Sequence, residues 1–100
     1  MQVNFSKVLC DVEKKAIKDG ETEFTLRRAC VNALVSETQE SQKDSGEDKV
    51  KRWKLANRIA DAVEEIEVTA EEIALIKKKL NDVYATLIVG QAYGMLEGQV

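Results

Sequence analysis

The chain of 100 residues contains no histidine and no proline, two cysteines and only 5 % aromatic residues. Without histidine there is no imidazole base, no Ser-His or Cys-His nucleophilic pair and no imidazole ligand for a metal. Cys10 and Cys30 stand alone among apolar neighbours, with no CxxC spacing. They read as two buried thiols of a reducing cytosol, and zinc is not expected. No apolar run approaches the roughly 20 residues of a membrane span. The start, Met1–Lys7, lacks a basic head followed by an apolar stretch, so no signal peptide is expected and the protein is placed in the cytoplasm. Fifteen basic against 18 acidic residues leave a net charge of −3. That is too weak for a DNA mimic and of the wrong sign for a strong nucleic-acid binder.

What is present is an ordinary globular balance, 44 % hydrophobic and 33 % charged, over a length suited to one domain. Residues 1–24 read as a strand-like arm. Val8, Cys10 and Val12 alternate with Leu9, Asp11 and Glu13. Asp19-Gly20 is a strong turn dipeptide, which predicts a short hairpin of 15–18 with 22–24. Thr25 is a plausible N-cap for a helix over 25–35 with Leu26, Ala29, Cys30, Ala33 and Leu34 as its apolar stripe.

Ser36–Gly46 contains no apolar residue. It has nothing to bury against the entropy of ordering, so a mobile, dispensable surface loop is expected. A helix over 47–63 follows, with Glu47 and Asp48 in its first turn. Its expected buried face is Val50, Trp53, Ala56, Ile59, Ala60 and Val63, with Leu55 beside it. Ile66-Glu67-Val68 reads as extended and available to the hairpin. Thr69-Ala70-Glu71-Glu72 is a capping box. It opens the helical region 70–97, with Ile73, Ile76, Leu80 and Val83 as one stripe, a bend near Asn81-Asp82, and Gly98 as the stop. The expected architecture is therefore mainly α, of the α+β kind: a short N-terminal β-hairpin, then a compact bundle of about four helices.

Three groups of side chains merit weighing as sites. The acidic cluster Glu64, Glu65, Glu67, Glu71 and Glu72 lacks a calcium-loop spacing and is taken up largely by a helix start. Lys51, Lys54 and Arg58 share one helical face and form a candidate basic surface, but the exterior of any soluble helix looks the same. Gly90 and Gly94 cost helix propensity, which suggests a close-packed neighbour at one of them. With Ile76, Leu80 and Leu87 they could form one seam and a homo-oligomer interface. No nucleophile elbow, phosphate loop or dinucleotide fingerprint occurs, so no catalytic, cofactor or metal residue is assigned.

Three stretches carry a resemblance: Ala16–Gly20 with Phe24-Thr25-Leu26; Lys49–Ala56; and Thr69–Lys77 with Val89–Tyr93. Over roughly residues 12–97 the chain resembles small proteins of tailed bacteriophages and prophages. The resemblance implies a viral protein in the bacterial host cytoplasm and carries over no functional residue. It implies a non-catalytic protein acting on a protein partner: itself, a virion protein or a host protein. A virion assembly or structural accessory is expected first, a small inhibitor or modulator of a host enzyme second, and a weak nucleic-acid-binding regulator third.

Overall fold

A computed structural model describes residues 1–39, 41–63 and 65–98. In chain order the elements are β1 (Gln2–Val3), β2 (Lys18–Asp19), β3 (Thr22–Glu23), α1 (Leu26–Val35), a single 3-10 turn (Ser41–Lys43), α2 (Gly46–Asp61), β4 (Ile66–Glu67), α3 (Ala70–Val83) and α4 (Thr86–Leu96). The molecule is mainly α, with a short N-terminal hairpin preceding four helices.

The hairpin forms where the turn dipeptide lies: β2 pairs with β3 in the register Lys18↔Glu23 and Asp19↔Thr22. Gly20 takes φ +70°, the left-handed region that suits glycine at the first central position of such a turn. The arm before it is stitched to the hairpin by Leu9 N–H to the Phe24 carbonyl and Ile17 N–H to the Leu9 carbonyl, both at 2.9 Å. It also closes the start of α1. The first helical amides, of Leu26 and Arg27, donate to the carbonyls of Lys7 and Phe5 at 2.8 Å, and the next, of Arg28, donates to the Thr25 hydroxyl. The orphan donors of the helix start are thus satisfied partly by a cap and partly by the arm.

α1 is the centre of the core. It buries Leu26, Ala29, Cys30, Ala33 and Leu34 and packs against both α2 and α3. Phe5 and Leu9 of the arm, Ile59 of α2, Ile76 and Leu80 of α3 and Leu96 of α4 complete it, all at or below 2 % exposure. Gln91 on α4 ties down the arm by accepting from the Cys10 N–H at 2.8 Å and donating to the Cys10 carbonyl at 2.5 Å. The radius of gyration is 13.0 Å, that of a compact domain of this length.

Several sequence-based expectations are corrected. β4 pairs with β1 in the register Gln2↔Glu67 and Val3↔Ile66, not with the hairpin. The long alternation in the arm yields only isolated bridges at Val8 and Cys10, and Val12 is 85 % exposed. The break in the C-terminal helical region falls at Tyr84-Ala85, not Asn81-Asp82. Tyr84 turns its ring edge-on to Phe24, with centroids 6.0 Å apart. α2 ends at Asp61 and buries Arg52, Leu55, Ala56 and Ile59. Val50, Trp53, Ala60 and Val63 lie outside the core. The segment 36–46 is not a free connector throughout, because Asp44 is held by side chains of α2 and α3.

Candidate functional site

The inward face of α2 holds an arginine beside three apolar side chains. Arg52 lies at the head of the 52, 55, 56, 59 stripe and is 3 % exposed. Its Nη1 donates to the carbonyls of Leu34 at 3.1 Å and Ser36 at 3.4 Å, at the C-terminal end of α1. A guanidinium there meets the negative end of the helix dipole and supplies donors to carbonyls without intrahelical partners. Inward rotation of Arg52 turns Val50 and Trp53 outward.

The result is an apolar surface on the outer side of α2. Trp53 is 62 % exposed and Val50 49 % exposed, one helical turn apart. Val35 at the end of α1 is 52 % exposed and shares with Trp53 a shallow depression of about 180 Å³. Exposed Lys49, Lys51 and Lys54 rim this surface, together with the exposed Glu37 and Glu47. A groove of about 510 Å³, which shares Lys51 and Lys54 with this surface, runs between α2 and α3 and is lined by Leu55 and Leu75.

Lys51, Lys54 and Arg58, expected as one basic face, do line that groove together. Arg58 is engaged there. Its Nη1 lies 2.5 Å from Glu72 Oε2, and its Nη2 donates to the Glu67 carbonyl at 2.8 Å. Glu72 also closes the capping box through the Thr69 amide at 2.9 Å. Burial pushes the Glu72 carboxyl up, but the Thr69 amide and the Arg58 guanidinium outweigh it and hold the carboxyl below its ordinary value. Glu72 is thus a structural acid. Glu65, Glu67 and Glu71 are exposed, and Glu64 lies outside the described residues.

The expected interface seam is not brought together. Ile76 and Leu80 have no exposed surface. Leu87 is 39 % exposed on α4, beyond the Tyr84-Ala85 break. A Cβ on Gly90 would meet nothing within 4 Å among the described residues, so close packing does not explain this glycine. Gly94 is half-buried. Cys10 and Cys30 are free thiols, and burial pushes that of Cys30 well above its ordinary value.

The site missed by sequence reasoning is the Trp53 surface. Its signal was a competing stripe, 52-55-56-59, whose first member is charged and so escapes a count of apolar residues alone. Among the described residues no group of three His, Cys, Asp or Glu is placed to hold a metal, and no helix is long and apolar enough to cross a membrane. Comparison of the chain with protein-family models, with curated proteins and with solved structures finds no match in any of the three.

Proposed function

We propose that the protein acts by non-catalytic contact with a protein partner through the Trp53, Val50 and Val35 surface of α2 and α1. Following the phage resemblance, its role is that of an assembly or structural accessory in the bacterial host cytoplasm. The observation that carries the reading is the 62 % exposure of the chain's single tryptophan beside two exposed valines. Tryptophan is the side chain most enriched among residues that dominate binding energy at interfaces. Around the Trp53 surface the exposed Lys49, Lys51 and Lys54 outnumber Glu37 and Glu47, which favours a partner whose apolar cluster is flanked by carboxylates.

The test captures partners from phage-infected cells with wild type and with Trp53→Ala, and then reconstitutes binding from purified components. A partner that binds through this face shifts the Trp53 emission to the blue. It also loses roughly thirtyfold or more in affinity for Trp53→Ala, the scale of an interfacial hot spot. Self-association measured by sedimentation over a concentration series separates a second copy from a foreign partner. A captured protein that binds Trp53→Ala as tightly as wild type, with the wild-type emission unmoved, overturns the proposal.

A further inference from the structure

Two charged side chains are buried among the described residues, Arg52 at 3 % and Lys79 at 2 % exposure, and both face one carboxylate. Lys79 Nζ donates to Asp44 Oδ2 at 3.2 Å, and Arg52 Nε stands 3.5 Å from the same oxygen. That Nε is buried and makes no hydrogen bond among the described residues. A second carboxylate, of Glu37, is more remote, 3.8 Å from Arg52 Nη2 and 52 % exposed. Beside the cluster opens a cavity of about 200 Å³, several times the roughly 30 Å³ share of one water in the liquid. Lys51 of α2 and Lys78 of α3 also line it, as does Asp48. Four cations thus surround the space against the carboxylates of Asp44 and Asp48, a local excess of positive charge on a chain whose net charge is −3.

We propose that this cavity is a binding site for a phosphate-class dianion, which takes the place of the Asp44 carboxylate on Arg52 and Lys79. The two cations are already desolvated and held by the fold, so an incoming anion does not have to order them. Nη1 of Arg52 is held on the α1 carbonyls, while Nε, 3.5 Å from Asp44 Oδ2, makes no hydrogen bond among the described residues, so its N–H is a donor for an anion that takes the place of Asp44. A phosphate carries more acceptor oxygens than the single carboxylate oxygen now shared by two cations, and it matches a guanidinium edge. Asp44 lies between the 3-10 turn and the Ser45 cap, outside any helix, so it can leave without unwinding one. Asp44 is therefore an internal competitor for the site, and wild-type binding is weaker than the cation count alone would give.

The test titrates inorganic phosphate at constant ionic strength, balanced with chloride, into wild type, Asp44→Asn, and Asp44→Asn carrying Lys51→Ala and Lys78→Ala. The last two substitutions are at exposed positions and spare the core. Asp44→Asn keeps the shape of the side chain and removes the competing charge. It is expected to bind phosphate roughly tenfold or more tightly than wild type, the scale of one hydrogen bond to a charged group. The two alanine substitutions are expected to reverse most of that gain. If Asp44→Asn folds poorly, its recovery of helicity by phosphate, but not by matched chloride, is the same readout, and failure to recover counts against the site. Phosphoserine amide and adenosine monophosphate run in parallel distinguish a phosphorylated chain from a nucleotide as the source of the phosphate. Equal, weak binding in all three proteins overturns the proposal.

Discussion

At the scale of single residues, Trp53 and Gly90 are the positions where burial decides the outcome. Truncation of a buried tryptophan costs about 3–5 kcal/mol, whereas an exposed one leaves little behind. With Trp53 62 % exposed, Trp53→Ala is expected to change stability by no more than about 0.5 kcal/mol in denaturant unfolding. The emission maximum of the native protein is expected to be that of a hydrated indole. A blue-shifted native spectrum in a dilute monomer would contradict the outward register of α2. Gly90 lies inside α4, with open space where a side chain would stand. Gly90→Ala is therefore expected to stabilise, by roughly 0.4–1 kcal/mol, through the smaller entropy of the unfolded chain and better helix propensity. A drop in melting temperature, reversed at low protein concentration, would instead reveal a second copy seated against α4.

The elements divide by how far away their determinants lie. Thr25, the Asp19-Gly20 turn and the Thr69–Glu72 box each act within a few residues, and each forms as the sequence indicates. The box satisfies two donors reciprocally, with Glu72 N–H on the Thr69 hydroxyl at 3.1 Å and Thr69 N–H on the Glu72 carboxylate at 2.9 Å. Thr69→Ala is expected to cost about 1 kcal/mol in equilibrium unfolding. A neutral result would mean that the Arg58 contact alone holds the start of α3. Illegible in the sequence were the determinants that lie far along the chain. β4 finds β1, and the Gln2 amide meets the Glu67 carboxylate at 2.8 Å across 65 positions. Gln91 meets Cys10 across 81 positions. The inward face of α2 includes Arg52, whose partners are carbonyls at the end of α1, and the periodicity of α2 does not reveal those partners. The Trp53 surface was hidden for the same reason. The basic face of Lys51, Lys54 and Arg58 was legible because helical spacing alone puts those three on one side.

For the molecule as a whole, electrostatics sets the acid limit of stability. The Asp44 carboxyl is held below its ordinary value, first by the hydrogen bond from Lys79 and then by the nearby charges of Lys79, Arg52 and Lys78, against the opposing effect of burial. Glu72 is lowered in the same sense. A carboxyl with a lower pKa in the folded than in the unfolded chain binds protons more readily when unfolded, so its stabilising effect is complete above the unfolded value, about 4 for Asp and Glu. The effect is lost as pH falls through that value towards the folded one. The melting temperature of the wild type is therefore expected to hold down to about pH 5 and to fall steeply below it. Asp44→Asn leaves Arg52 and Lys79 buried without their shared carboxylate, and a buried charge stripped of its partner is destabilising. The variant should melt lower than wild type at neutral pH, yet lose less on acidification, because one of the two carboxyls whose protonation matters is already neutral. The two melting curves plotted against pH should converge in acid. Parallel curves, displaced equally at every pH, would show that Asp44 contributes shape to the 36–46 segment and no charge to the core.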